Sequence, residues 1–293
     1  MDIHDLTVFA AAARHGSVTK AAQSLSTVQS NVTTRIRLLE TELKVQLFHR
    51  NHRGITLTDK GQQLLPYAQQ MLSLVEHAKA AVSDSKEVGG TLHIGSLQST
   101  ATARLPDVLK AYASRHARVD ISVETGTSMD LIAKVLESKL DGAFVSGIED
   151  HPQLDVVTSY VEELVIITPA PVRSVKAYLK RGTSPKVLVF KIGCHYRQRF
   201  EQYLGAEGID MLSPMDFGTI DGIIGCVAAG LGISMLPRSV VEHSARRKEV
   251  AIHQLPKAHR YVETQFVTHK AQVQSLALAR LIDVVVSQRA KER

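Results

Sequence analysis

The apolar residues at the start of the chain recur at intervals of three and four, which is typical of amphipathic helices. In residues 3–14 they form one stripe, and Gly16 follows as a candidate C-cap. Residues 18–25 predict a second helix with Ser17 as its N-cap, and residues 28–43 predict a third. The apolar positions are Leu6, Phe9, Ala10 and Ala13 in the first helix and Val32, Ile36, Leu39 and Leu43 in the third.

The third predicted helix carries short polar side chains and an arginine opposite its apolar stripe. Such a face can enter a DNA major groove, donate to base edges and contact phosphates. Residues 47–57 hold two short runs around Gly54, which predict a tight hairpin whose basic tip suits a minor groove or phosphates. The candidate DNA contacts are Gln29, Ser30, Asn31, Thr33, Thr34, Arg37, Arg50 and Arg53. The alternative is a pair of amphipathic helices of any helical domain, beside a solvated hairpin.

This stretch resembles the N-terminal motif of the LysR-type transcriptional regulators. The matching residues are Ala21, Ala22, Leu25, Gln29, Val32, Thr33, Ile36, Leu39, Glu40, Leu47, Phe48, Arg50, Gly54, Leu57, Thr58 and Gly61. The resemblance implies a winged helix-turn-helix that binds promoter DNA. Many members carry serine where this chain has Val28, so Thr27 is the better N-cap candidate here. Proline is common in the family where this chain has Ser30.

Residues 59–88 predict a long helix whose apolar positions alternate in steps of four and three. The seam is Leu64, Ala68, Met71, Val75, Ala78 and Val82. Pro66 lies near the first turns, where proline is least costly. We expect the seam to pack against a second copy of the chain, and the alternative is packing on its own domain. Residues 87–90, with Gly89 and Gly90, are interpreted as a hinge. The resemblance implies the same dimerising role, and further association into tetramers.

From residue 91 the pattern changes to short apolar runs that alternate with helical stretches, which predicts βαβ units and a mostly parallel sheet. Predicted strands are 91–96, 119–124, 142–146, 164–168, 186–190, 233–236 and 261–268, and predicted helices are 103–115, 129–140, 196–206, 220–229 and 272–287. The resemblance implies that they form two α/β lobes with an effector between them, joined by crossing strands near 156–161 and 262–268.

The predicted fold is therefore an N-terminal all-α winged helix-turn-helix with a linker helix, followed by a C-terminal α/β two-lobed periplasmic-binding-protein-like domain. The expected boundaries are 1–58 for the DNA-binding domain, 59–90 for the linker helix and hinge, and 91–293 for the effector-binding domain, with lobe I at about 91–161 and 267–293 and lobe II at about 162–266.

Composition agrees with this organisation. The 293 residues are long for a single domain, and 44% hydrophobic content is enough for sizeable cores. A net charge of +6 and a pI near 9.3 suit a polyanionic partner. The N-terminus lacks the basic start and long apolar core of a signal peptide, and residues 223–236 are too short to span a bilayer. We therefore expect a cytoplasmic protein.

Ligands of parallel α/β lobes bind beyond the carboxyl ends of strands, where loops and helix N-termini converge. Several such loops here are small and rich in hydroxyl groups, and their N–H groups attract carboxylates and phosphates. The candidate effector contacts are Ser96, Ser99, Thr100, Thr127, Ser128, Ser146, Cys194, His195, Arg197 and Thr219. The alternative for each serine or threonine is an N-cap that serves only its own helix. We expect a small organic anion, or a polar metabolite with an anionic end.

Two of these candidates have further alternatives. Arg197 is expected to pair either with an anionic effector or with an acid on its own surface. Cys194 begins a predicted helix, so it is either a low-pKa thiol that senses oxidants or a small cleft residue. Cys226 is interpreted as a buried packing residue.

The leading hypothesis is a homo-oligomeric DNA-binding transcriptional regulator that responds to a small-molecule effector. The alternative is an enzyme that acts on a small molecule and carries a fused DNA-binding head. The chain has no GxSxG, P-loop or HExxH motif, and its 13 histidines and two cysteines lack metal-ligand spacing. We therefore expect neither enzymatic activity nor a resident metal or organic cofactor.

Overall fold

The structure is a computed structural model of the whole chain, and it describes residues 1–51, 54–81, 88–148, 150–179, 186–209, 214–272 and 274–291. The chain divides into two compact units, the first built mainly from Met1–Lys86 and the second from most of the remainder. The elements of the first unit are α1 (Ile3–His15), α2 (Val18–Ser24), α3 (Gln29–Leu43), β1 (Phe48–Asn51), β2 (Gly54–Leu57) and α4 (Asp59–Ala81).

The ends of the first two helices follow their local sequence. Asp2 caps α1 in a capping box with Asp5, and Gly16 ends the helix in the left-handed conformation at φ 58°. Ser17 caps α2 by accepting a hydrogen bond from the backbone N–H of Lys20. The predictions for Gly16 and Ser17 are confirmed.

The start of α3 differs from the prediction, because its N-cap is Val28, whose side chain makes no capping hydrogen bond. Thr27 lies one residue too early, and its Oγ1 instead accepts from Nδ2 of Asn31 at 3.0 Å. The predicted stripe of α3 is correct, since Val32, Ile36 and Leu39 are buried in the core that all three helices share.

Helix α4 corrects the predicted dimer seam. Ala68 is fully buried in the core of the first unit, and Leu64 packs against the same core, so neither is exposed for a second copy. Val75 is half-buried, while Val82 lies outside the described residues. Among the described side chains of α4, the exposed apolar residues also follow heptad spacing. They are Tyr67, Met71, Leu74 and Ala78, and we call these four residues the outer seam. Met71 and Ala78 are as predicted, whereas Tyr67 and Leu74 each lie one position before a predicted residue.

The second unit alternates strands and helices. Its strands are β3 (Gly89–Ser96), β4 (Arg118–Thr125), β5 (Gly142–Ser146), β6 (Leu154–Pro169), β7 (Lys186–Phe190), β8 (Met215–Phe217), β9 (Gly232–Pro237), β10 (Val250–Gln254) and β11 (Tyr261–His269). Its helices are α5 (Gln98–Ala103), α6 (Leu105–Ala113), α7 (Ser128–Leu136), α8 (Val175–Leu179), α9 (His195–Ala206), α10 (Ile220–Ala228), α11 (Arg238–Arg246), α12 (Lys257–Arg260) and α13 (Leu276–Lys291).

The strands follow the order β4-β3-β5-β11-β6-β9-β7-β8, and β10 pairs with β6. The first half of β6 pairs antiparallel with β11, and the second half, from Leu164, pairs with β9 and β10. Strand β11 also pairs with β5, so the chain returns to the first lobe there. The predicted crossing strands are therefore confirmed. The sequence patterns did not predict β8, β10, α8, α11 or α12, and they treated most of α5 as a loop.

Two features of the second unit differ from the prediction. Gly89 and Gly90 begin β3 and pair in parallel register with Arg118 and Val119, so they belong to a sheet and do not form the expected free hinge. The closing helix starts at Leu276, four residues later than predicted.

The apolar cores show how the lobes are arranged. One cluster is confined to the first lobe and includes Phe144, Phe266 and α13, and another is confined to the second. A third cluster contains residues of both lobes, such as Leu131 from the first and Phe200 from the second. The lobes are therefore packed against each other along this face.

Candidate nucleic-acid interface and effector site

The outward face of α3 presents the predicted polar row. Gln29, Ser30, Thr34 and Arg37 are exposed, while Asn31 is half-buried and bonded to Thr27 as described above. Since the opposite stripe is buried, these side chains are held in a fixed direction by the packing of the helix. Thr33 is half-buried beside them.

The neighbouring arginine on α3 has a different role. Arg35 forms ion pairs with Asp5 at 3.1 Å and with Asp2 at 3.4 Å, which tie α3 to the start of α1. Arg37 is therefore the arginine of α3 that faces outward. Of the two wing candidates, Arg53 lies outside the described residues, and for Arg50 only the backbone is described, within β1.

The hairpin is joined to α3 by a carboxylate. Oε1 of Glu40 accepts hydrogen bonds from the backbone N–H groups of Leu47 at 2.8 Å and Phe48 at 3.3 Å. The ring of Phe48 also packs on Phe9 with centroids 5.4 Å apart. The motif glutamate thus sets the position of β1 relative to the recognition helix.

Two motif glycines are required by close backbone approaches. A Cβ on Gly54, where φ is +134°, would lie 2.5 Å from the carbonyl oxygen of Gly16, and Ile55 N–H donates to that oxygen at 3.0 Å. A Cβ on Gly61 would lie 2.2 Å from the carbonyl oxygen of Leu47. Larger residues at either position would therefore displace the hairpin.

Several effector candidates in the second unit bond within their own loops. Thr127 caps α7 by accepting from Asp130 N–H, and Thr219 caps α10 by accepting from Gly222 N–H. Both hydroxyls therefore act as N-caps of their own helices, which is the alternative to effector binding given for each serine or threonine. Ser96 is buried and its hydroxyl donates to the adjacent backbone carbonyl.

Other candidates join neighbouring loops. Ser128 is buried and its Oγ accepts from Ser146 N–H at 3.0 Å, while the Ser146 hydroxyl donates to the carbonyl oxygen of Glu263 at 2.7 Å. Thr100 is fully buried, and among the described residues its Oγ1 has no hydrogen-bond partner. This unpaired hydroxyl belongs to the third residue of α5, four residues after the end of β3, where an effector contact was predicted.

Residues at the start of α9 approach the loops of the first lobe. A Cβ on Gly147, where φ is +83°, would lie 2.3 Å from Nδ1 of His195, so the imidazole packs directly on this glycine. A Cβ on Gly193 would lie 3.1 Å from Oγ1 of Thr127. The expected facing of Thr127 and the Cys194 loop is therefore present, and the two loops are in contact at this point.

Arg197 does not face the first lobe. Its guanidinium donates to Asp216 at 2.7 Å, to Glu201 at 2.9 Å and to the carbonyl oxygen of Phe190 at 3.1 Å. Of the two predicted arrangements, the structure has the one in which its own acids pair with Arg197. These acids raise the pKa of Arg197 even though its partial burial opposes them.

Cys194 does not have the electrostatics of a reactive thiol. It is the N-cap residue of α9 without a side-chain capping bond, and it is buried. Burial raises the pKa of the Cys194 thiol, and the N–H groups at the helix start only partly offset this. Of the two alternatives for Cys194, the structure favours the small packed residue, because loss of hydration outweighs the helix N-terminus.

A buried polar cluster that the sequence did not reveal lies where the lobes meet. The hydroxyl of Tyr196 donates to Oε2 of Glu162 at 2.8 Å and lies 3.0 Å from Oγ of Ser99. Thr264 donates to the same carboxylate oxygen at 2.9 Å, and Nε of Arg104 donates to its Oε1 at 3.4 Å. Burial first, and then the Glu162 charge, raise the pKa of Tyr196 well above its ordinary value.

This cluster contains one predicted residue, Ser99, and four that were missed. The available signal in the sequence was a pair of acids, Glu162 and Glu163, directly before the apolar run Leu164–Ile167. A charge beside such a run needs partners from elsewhere in the fold.

Among the described residues, no group of three or more histidine, cysteine or acidic side chains is placed to hold a metal ion. The helices of the described ranges are all too short or too polar to span a bilayer.

Two family descriptions match consecutive parts of the chain. Residues 3–62 match "Bacterial regulatory helix-turn-helix protein, lysR family", and residues 85–290 match "LysR substrate binding domain". A regulator from Bacillus subtilis named YusT is 42% identical over 97% of this chain and 95% of its own length. The regulator GltR of the same organism is 39% identical over 96% of this chain and 95% of its length.

Solved structures share the fold. A full-length OxyR variant from Pseudomonas aeruginosa superposes with a TM-score of 0.77 at 17% identity, over 97% of this chain and 94% of that one. Full-length CbnR in complex with its target DNA gives a TM-score of 0.67 at 20% identity, over 98% of this chain and 99% of that one.

Proposed function

We propose that this chain, which belongs to the family of LysR-type transcriptional regulators, binds promoter DNA through α3 and the wing and that a small molecule held by its second unit changes this binding. The observation that carries the DNA-binding part is the exposed polar row on α3, which begins in its first turn and lies opposite a buried stripe. Recognition helices contact base edges mainly with N-terminal residues. We propose a cytoplasmic location for this function.

The test begins with selection of binding sites from a pool of random-sequence duplexes, which should return an interrupted dyad. Thr34→Ala and Arg37→Ala should each weaken binding to the recovered site by about 1–3 kcal/mol, because each removes a contact from the docking face. Arg37→Lys keeps the charge, so it should restore binding if the contact is to a phosphate and fail to do so if it is bidentate to a base.

Thr41→Ala is the matched control for Thr34→Ala. It makes the same change on the same face of α3 but two turns nearer the C-terminus, where Thr41 bonds to the carbonyl of Arg37. Its affinity should equal that of the parent. If neither Thr34→Ala nor Arg37→Ala weakens binding, the proposed docking face is wrong, and if no site is recovered the DNA-binding proposal itself fails.

A homodimer through the outer seam completes the proposed DNA complex. Two recognition helices read two half-sites when a symmetric dimer presents them with fixed spacing. The support is the row of exposed apolar side chains at heptad intervals on α4, since such a row is typical of helices that pack against a partner. Further association into tetramers is part of the proposal through the family resemblance.

The effector part of the proposal rests on the match of residues 85–290 and on the polar loops around the lobe junction. We propose a small polar effector with an anionic end, bound between the lobes near Ser99, Thr100 and the loop at Thr127. No further cofactor is required. Native mass spectrometry of the isolated protein should detect a retained small molecule, and thermal shifts with a panel of small carboxylates should identify its class. A protein that retains nothing and responds to no carboxylate would contradict this effector class.

The relatives YusT and GltR are named as transcriptional regulators, which supports a non-enzymatic role. We propose that a molecule bound in the second unit is sensed and released unchanged. Incubation of the protein with any ligand found above, followed by mass analysis of the solution, should return the ligand intact. Turnover would support the alternative of an enzyme with a DNA-binding head.

A further inference from the structure

The carboxylate of Glu162 is the centre of the lobe junction. Glu162 is only 3% exposed, and it sits in β6 two residues before the strand leaves β11 and pairs with β9. A buried carboxylate is costly unless it is paired and hydrogen-bonded. Its described partners are the hydroxyls of Tyr196 and Thr264 and the guanidinium of Arg104, which also lies 4.7 Å from the ring of Tyr160.

These partners come from different parts of the unit. Thr264 lies on β11, which is hydrogen-bonded to β6 itself, so its contact is made within one sheet. Tyr196 lies on α9, which packs on the second-lobe strands β7 and β9, and the other buried residues of this helix, such as Phe200 and Leu204, belong to the apolar cluster shared by both lobes. Its hydroxyl bonds to Glu162 on the crossing strand β6 and reaches Ser99 in α5, which follows β3 in the first lobe. The Tyr196 hydroxyl therefore joins the second lobe to the first.

The residues just before Tyr196 also contact the first lobe. The imidazole of His195 packs on Gly147, so there is no space for a side chain at Gly147. Gly193 approaches Thr127. The thiol of Cys194 is buried in the apolar cluster that contains residues of both lobes. The start of α9 is thus held against the first lobe by the Tyr196 hydroxyl, by the packing of His195 on Gly147 and by the shared apolar cluster.

We propose that the hydroxyl of Tyr196 is a latch that positions the lobes in this closed arrangement through its bonds to Ser99 and Glu162, and that separation of the lobes in the regulatory response requires these bonds to break. The proposal rests on the proposed effector site. It concerns the ligand-free protein, so it can be tested whether or not an effector is found. Tyr196 is a positioning residue here, since it acts through the relative placement of the lobes.

The buried thiol of Cys194 is a built-in probe of lobe opening. The experiment uses the full-length chain with Cys226→Ser, so that one thiol remains, and measures the rate of its reaction with Ellman's reagent under native conditions. The rate of reaction of a buried group follows the population of open states. Tyr196→Phe removes only the hydroxyl, and the rate should rise about twofold to tenfold, which is the change expected for one net hydrogen bond.

Two matched variants separate a latch from an ordinary structural bond. Thr264→Val removes a hydrogen bond to the same oxygen of Glu162 without crossing between lobes, and Tyr203→Phe removes a hydroxyl from the same helix away from Glu162. Both should leave the Cys194 rate within twofold of the parent, although Thr264→Val should lower the melting temperature as much as Tyr196→Phe does.

The proposal is overturned if Tyr196→Phe leaves the rate unchanged, or if Thr264→Val raises it equally. Should Tyr196→Phe fail to fold, Ser99→Ala removes the other partner of the hydroxyl and should raise the rate in the same direction, and an unchanged rate in that variant would overturn the proposal. Absence of any effector would refute the proposed function but would leave these rates, and the latch, as measured.

Discussion

Replacement of Met71 and Leu74 by glutamate should separate the dimer. Both residues belong to the outer seam, and they are 40% and 52% exposed in the single chain. The substitution places charge at the centre of an apolar contact while leaving the core of the first unit intact, because the residues of α4 that face that core are Leu64, Leu65, Ala68 and Leu72.

The magnitude follows from the area that remains to be buried. Full burial of a leucine or methionine side chain stabilises by about 1.5–3 kcal/mol. Covering the exposed parts of Met71 and Leu74 on both protomers is therefore worth about 3–5 kcal/mol to a dimer. Loss of this burial free energy should raise the dissociation constant of the dimer at least about a hundredfold. Repulsion between the new carboxylates should raise it further.

Sedimentation velocity over a concentration series measures the change. The matched control is Gln62→Glu with Gln69→Glu, which adds the same charge to exposed positions on the opposite side of α4. This control should assemble like the parent. A Met71→Glu, Leu74→Glu variant that stays dimeric would refute the outer seam, and a control that also dissociates would show that charge alone is responsible.

Two further predictions concern stability. Glu40→Ala should lower the free energy of unfolding of the first unit by about 1–3 kcal/mol, because two backbone N–H groups lose their acceptor. Glu40→Gln keeps an acceptor oxygen, so it should lower the free energy of unfolding by less. Chemical denaturation measures both variants. Burial raises the pKa of Tyr112 from its ordinary 10.0 to about 12. The unfolded phenol ionises first, so stability from this group is complete below pH 10 and is lost as the pH rises through about 12, by about 1.4 kcal/mol per pH unit between these values. Tyr112→Phe should remove this part of the alkaline slope in unfolding experiments, and an unchanged slope would contradict the assignment.

The sequence alone determined the features that depend on neighbouring residues. The buried stripe of α3, the cap at Ser17 and the left-handed Gly16 all follow from spacing within a few turns of helix, where each residue meets partners three or four positions away. The alternation of strands and helices after residue 91 was correct for the same reason. Even the pairing of Arg197 with Glu201 lies within one helical turn.

Tertiary structure decided what depends on distant residues. The sequence predicted an apolar seam on α4, but only packing against the other helices showed that Ala68 faces the core and Leu74 faces outward. The pattern placed Ser99 in a polar loop without revealing that Tyr196 and Glu162 meet it, because these residues lie 97 and 34 positions from their partners. Such contacts are fixed by strand order and by the crossing of β6 and β11 between lobes, which no local periodicity encodes.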